Sequence, residues 1–287
     1  DLAGWRAVFA VNVPLGAAVF FTGYRYLPRI IPAGPRPAFD LPGMVLFALS
    51  LTSLLVVLMT PQWWPLLAIT VAAMVLFVRR ELRHGEPFLD LRAAGTNVAL
   101  SLTFLRTLLV SVAFYAFIYG YPQWVQHTRG LSPAASGLIL LPAFLAAIAA
   151  SAVTGSSPVV RKKLIVAMIV LCAPTPLLLT LGDTGPVWVL VIPCVFMGAG
   201  QAIAHLANQT ALQHQADPAR MGSSAGLLRT FTHLGAVLSA TVNAALFAGG
   251  AVTSALHGLA WFMGGTVVAT LVVVITDRSL ARLGRRP

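Results

Sequence analysis

Apolar runs of about twenty residues, separated by short polar breaks, repeat along the whole chain: about 5–27, 41–59, 62–79, 97–119, 133–154, 163–181, 186–209, 222–247 and 254–276. A helix rising about 1.5 Å per residue crosses about 30 Å of hydrocarbon in that length, so each run predicts a membrane-spanning helix. Nothing alternates with the period of a β-barrel. The expected fold is an all-α, polytopic membrane helix bundle of about nine spans.

Two of the runs differ from the rest in their polar positions. In the stretch from Phe196 to Phe247, Gln201, His205 and Asn208 fall at i, i+4 and i+7, on one face of a helix. The next helix repeats the pattern with Arg229, Thr232, His233, Ala236, Ala240 and Asn243. A charge at the centre of a bilayer costs roughly 2.5–3.5 kcal/mol on insertion scales, so such stripes usually face a bundle interior or a watery cavity. A third polar position, Arg106, lies about nine residues into its span, too deep to snorkel easily. It shares a face with Val110, Ala113, Phe117, Gly120 and Trp124, while Tyr115 and Tyr119 point the other way. Arg106 therefore reads either as a cavity residue or as a partner for the helix-end carbonyls of a neighbour. The candidate solute path comprises Arg106, Gln201, His205, Asn208, Arg229, His233 and Asn243; the alternatives are helix-to-helix hydrogen bonding for Gln201, His205 and Asn208, and the same or snorkelling to the cytoplasmic interface for Arg229 and His233.

The remaining spans sort by polarity. Those at 163–181 and 254–276 are almost wholly apolar and can face lipid, whereas 133–154, rich in Ala, can pack closely against neighbours. Pro142, Pro174, Pro176 and Pro193 lie inside spans and are expected to kink or break them. The hairpin of the second and third spans turns at TPQWWP and has almost no polar content. Segment 80–96 reads as a cytoplasmic surface stretch whose Glu81, Glu86 and Asp90 are solvated partners of nearby arginines.

Composition agrees with a membrane protein: of 287 residues 58% are hydrophobic and 9% charged, against about a quarter charged in soluble chains. The net charge of +11 follows topology rather than nucleic-acid binding. Placing the loop after the first span in the cytoplasm leaves only Arg6 and Arg129 outside and Arg106 and Arg229 within spans, with all other Lys and Arg inside. The positive-inside rule then puts the C-terminus in the cytoplasm and Asp1 outside. The chain opens on Asp1 with no signal-peptide pattern and reads as part of a longer protein.

No catalytic motif stands out: there is no HExxH, GxSxG, P-loop or Rossmann glycine pattern in context, and the GAG at 198–200 is explained by close helix packing. Cys172 and Cys194 lack metal-ligand spacing and read as packing residues. No metal or cofactor is expected. All eight acids fall in loops or at span ends, so proton coupling has no embedded carboxylate in these residues. His233 is the local alternative, an imidazole titrating near neutrality. With Arg229 one turn away, a neutral His233 acting as donor or acceptor is favoured.

Several motifs, in order, resemble the 14-helix drug:proton antiporter branch of the major facilitator superfamily. In GWRAVFAVNVPLGAAVFFTGYRYLP the matching positions are Trp5, Arg6, Phe9, Asn12, Pro14, Gly16, Arg25, Leu27 and Pro28, as in that branch's sixth span. EPFLDLR is similar to its cytoplasmic segment. YGYPQWVQHTRGLSPAASGLILLP resembles a span exit and re-entry through Gln126, Gly130, Ser132, Pro133, Gly137, Leu141 and Pro142. SSAGLLRTFTHLGAVL matches a further signature at Gly226, Leu227, Thr230, Leu234 and Gly235, with His233 where that signature has Gln. The turn GSSPVVRKK keeps the family's basic residues and lacks its Asp.

The resemblance implies that residues 1–96 hold the last helix of an N-terminal half, two extra linker helices and a cytoplasmic segment. It makes 97–287 the C-terminal six-helix half of an alternating-access carrier whose N-terminal helices lie elsewhere. The expected function is proton-coupled efflux of drugs or small metabolites across a bacterial inner membrane, the partners being the lipid bilayer, a small-molecule substrate and protons. The competing reading is a non-transporting membrane scaffold or inactive remnant. An embedded enzyme is disfavoured by the lack of clustered acids, His or Cys.

Overall fold

The computed structural model describes residues 10, 12–26, 40–83, 91–155, 157 and 159–281. Trp5, Arg6, Phe9, Leu27, Pro28, Glu86 and Asp90 lie outside the described residues. The chain forms two compact units, residues 1–39 and 40–287.

The first unit contributes α1 (Asn12–Tyr26), which bears Asn12, Pro14 and Gly16 near its start. Its Thr22 hydroxyl donates to the Ala18 carbonyl at 2.6 Å, hiding a polar group within an apolar helix.

The second unit is a helix bundle: α2 (Leu41–Met59), α3 (Leu66–Glu81), a short α4 (Leu91–Thr96), α5 (Val98–His127), α6 (Pro133–Thr154), α7 (Val160–Cys172), α8 (Pro174–Thr180), α9 (Val191–Gln215), α10 (Met221–Leu246) and α11 (Thr253–Thr276). Each apolar run of the sequence thus becomes a helix, with 163–181 divided into α7 and α8. Six segments are long and apolar enough to cross a membrane: α2, α5, α6, α7 with α8, α9 and α11. As described, α1 and α3 are shorter, with 15 and 16 residues. At 26 residues α10 is long enough, but Arg229, His233 and its hydroxyl residues make it more polar.

Local chemistry sets the helix ends. Asp40, Asn97 and Ser132 accept from the backbone N–H three residues on, at 3.0, 3.1 and 3.2 Å, and so cap α2, α5 and α6. Pro133 follows Ser132 at the first turn of α6, where its missing N–H has no partner to lose. Before it, Gly130 takes φ +63°, a left-handed turn that suits glycine. Pro174 breaks the helix between α7 and α8, as expected. Pro142 instead sits within a continuous α6, and α5 runs past Pro122 to His127 rather than stopping near residue 119.

Lipid offers no apolar driving force between helices, so close approach depends on small residues. At Gly198 a Cβ would collide with the Ala143 carbonyl, bringing α9 against α6. Two residues on, Gly200 meets Leu171 of α7, so the GAG triplet packs one helix on each side. Gly235 admits Ser111 and the Leu108 carbonyl along the α5–α10 seam. On that seam Ser239 donates to the Val112 carbonyl at 2.7 Å and Asn243 to the Ala116 carbonyl at 3.1 Å. The main core lies between α5, α7, α8, α9 and α11, where Phe117, Tyr121 and Trp124 stack in sequence.

The α2–α3 hairpin has more internal polarity than its sequence promises: Thr70 donates to Ser53 at 2.9 Å, and Arg80 pairs with Asp40 at 2.8 Å. Glu81 is buried at 0% exposure, which corrects its expected role as a solvated acid. The last turn of α3 packs where α2 begins, and that contact carries Glu81 inside.

Candidate functional site

The seven candidate path residues divide into three groups. Arg106 is fully buried, with 0% exposure, at the end of the bundle where α5 begins and α9 and α11 finish. It forms an ion pair with Asp277, the residue that ends α11. Its Nη2 donates to Thr103 Oγ1 at 2.6 Å, and its Nε makes a longer contact of 3.4 Å with Asn208 Oδ1. Thr103 in turn donates to Gln215 Oε1 at 2.6 Å, and Ser279 donates its N–H to Asp277 Oδ1 at 2.9 Å. Three helix ends are thereby fastened by one polar network. Asp277, placed by sequence at a span end, is only 3% exposed, so a carboxylate does lie inside the bundle.

Asn243 forms a second group with the α5–α10 seam. It is 3% exposed and donates to both the Ala116 and Ser239 carbonyls, which separates it from Arg229 and His233. The helical drift explains the split: fourteen residues at about 100° each leave Asn243 turned some 40° from Arg229, toward α5.

Of the third group, Gln201 and His205 line a cavity of about 340 Å³ between α5, α6, α9 and α10, and Arg229 and His233 lie outside its lining. Such a volume lies at the lower end of the range for small-molecule sites, about 300–1,000 Å³. Phe114, Tyr115 and Phe144 give it aromatic walls, and Gln201, His205 and Thr232 supply polar groups. The Gln201 Oε1 atom is buried and has no hydrogen-bond partner. His205 Nε2 stands 2.8 Å from the Gln209 amide nitrogen, a contact in which a neutral ring accepts from the amide and carries its proton on Nδ1. Arg229 and His233 are exposed on α10, Arg229 one turn before Thr232 of the cavity lining. No ion pair of Arg229 occurs among the described residues.

Sequence periodicity misses the aromatic wall and Asp277. Phe114, Tyr115 and Phe144 look like ordinary apolar positions in their own helices. Only the packing of four helices brings them to one space. Of the motif residues, Gly235 lies in a tight helix contact, Gly130 in a turn, and Ser132 and Pro133 in a cap. A Cβ at Gly137 or Gly226 would meet only open space, and neither Gln126 nor Pro142 reaches the cavity lining.

These features define an integral membrane protein, a helix bundle with many exposed apolar side chains and a part-polar cavity. Comparison with known proteins places it more closely: the Major Facilitator Superfamily matches residues 1–240, and the chain belongs to that family. It is 30% identical to the "Uncharacterized MFS-type transporter YwoD" of Bacillus subtilis, over 85% of this chain and 56% of that protein. It is 34% identical to the "Multidrug resistance protein Stp" of Mycobacterium tuberculosis, over 52% of this chain and 29% of that protein. With the "Probable actinorhodin transporter" of Streptomyces coelicolor the identity is 30%, over 86% of this chain and 45% of that protein. The chain spans about half the length of YwoD and of the actinorhodin protein.

Proposed function

We propose that the chain belongs to a secondary carrier that exports drugs or small metabolites in exchange for protons by alternating access. The observation that supports this best is the cavity with its orphaned Gln201 acceptor. A buried polar atom without a partner costs about 1–3 kcal/mol, and a passing solute offers the missing donor. Relatives named for drug resistance and for transport favour export. In this reading 97–287 is the six-helix half that encloses the cavity, and 1–96 supplies the last helix of the other half, the linker hairpin and a cytoplasmic segment.

The proton site is assigned to partner helices, which the greater length of the relatives supports. Asp277 is engaged by Arg106 and serves packing. The membrane is a bacterial inner membrane with the C-terminus cytoplasmic. Arg79, Arg80, Arg161, Lys162, Lys163, Arg220 and Arg278 gather at the end of the bundle where α11 finishes, while Arg129 marks the other.

The test is sided labelling. With Cys172 and Cys194 replaced, cysteines at Gln201 and Thr232 in the full natural chain are expected to react with an impermeant thiol reagent from one face at a time. An imposed proton gradient should shift the reactive face. Cysteines sealed from both faces under all conditions would identify a scaffold instead.

A further inference from the structure

A cationic side chain beside the cavity suggests what the cavity holds. Two arginines lie within spans, and one of them, Arg106, is neutralised by Asp277. Arg229 stands one helical turn from Thr232 of the cavity lining, exposed and without an ion pair or hydrogen bond among the described residues. Neither Asp nor Glu lines the cavity. An arginine without a carboxylate partner can take an anion, its planar fork matching a carboxylate or similar group with two parallel hydrogen bonds. Beside it, His205 Nδ1–H adds a neutral donor, since Nε2 is engaged with Gln209. The cavity walls include aromatic rings, and the unpartnered Gln201 Oε1 calls for a hydroxyl or N–H donor.

We infer that the cavity takes an aromatic anion: a ring body between Phe114, Tyr115 and Phe144, with its acidic group on Arg229 and a donor substituent on Gln201. This rests on the carrier reading and narrows it to a substrate class. A lipophilic cation, by contrast, would meet Arg229 as a like charge, with no carboxylate in the cavity lining to offset it.

The test uses three probes with one ring body and different charge: 2-naphthoate, 2-naphthamide and 2-naphthylmethylammonium. Binding is measured on the purified full natural chain, and uptake in proteoliposomes with an imposed proton gradient. Naphthoate is expected to bind at least about tenfold tighter than the amide, equivalent to ~1.4 kcal/mol, and the ammonium to bind weakest. Arg229→Gln should bring naphthoate level with the amide, and Arg229→Lys should retain part of the preference. Unchanged melting temperatures would exclude misfolding as the cause.

Equal binding of the three probes, no binding of any, or a preference that survives Arg229→Gln would overturn the assignment. If the ammonium is transported and Arg229→Gln has no effect, the carrier reading stands and the anion assignment falls. If no probe moves and Gln201→Cys stays sealed from both faces, both fall.

Discussion

Arg106 and Arg229 begin as the same kind of residue, a guanidinium within an apolar run, and finish in opposite circumstances. Arg106 is enclosed by α5, α9 and α11, and Asp277, Thr103 and Asn208 surround its charge. Arg229 stands in the open on α10 beside a cavity with an unpartnered amide oxygen. The comparison teaches that depth in a span does not make a charge functional. What matters is whether the fold has already answered it. A satisfied charge fastens helices, whereas an unsatisfied one remains available to a ligand.

The sharpest way to break the comparison is to remove the partner of the enclosed arginine. Asp277→Ala leaves a buried charge uncompensated and should destabilise the protein by about 3–5 kcal/mol, read as a loss of melting temperature or of folded yield. A neutral pair, Arg106→Met with Asp277→Asn, should recover most of that loss, because isosteric replacement of a buried ion pair is often near neutral. Next in size is the α6–α9 contact. Gly198→Ala drives a methyl into the Ala143 carbonyl and should cost about 1–3 kcal/mol of thermal stability.

Asn243→Ala removes a side chain that ties α10 to α5 and should cost about 0.5–1.5 kcal/mol by the same measurement. Smallest is the expected stability change for Arg229→Gln, within about 0.5 kcal/mol, since no folded contact is lost. Gly226→Ala belongs with it: its Cβ meets nothing within 4 Å, and better helix propensity should raise stability by up to about 1 kcal/mol. A melting series that reversed this order, with Arg229→Gln more harmful than Asp277→Ala, would erase the distinction.

The helices and their order were legible because hydrophobic length is a strong signal when the solvent is hydrocarbon. The GAG packing, the Ser132–Pro133 start of α6 and the break at Pro174 could also be read locally, since each depends on neighbours in sequence. Pairings between distant helices could not. Asp277 lies 171 positions from Arg106, and its place after an apolar run looked like a surface end. Gln201, His205 and Asn208 looked like one stripe, but a stripe on a helix is wide enough to serve two neighbours. Asn208 turns to Arg106, and Gln201 to the cavity. Likewise Glu81 sat in a charge run that suggested solvent, and the packing of α3 against the start of α2 enclosed it.

The most direct test of the account is a single assay on two variants of the full natural chain: naphthoate uptake per folded molecule, measured for the Arg106→Met, Asp277→Asn pair and for Arg229→Gln. The account predicts near-normal uptake for the neutral pair, whose charges only fasten helices, and a loss of about tenfold or more for Arg229→Gln, the step of ~1.4 kcal/mol expected from one lost anion contact. Loss of uptake in the neutral pair with normal uptake in Arg229→Gln would contradict it, and would place the functional arginine inside the clasp rather than beside the cavity.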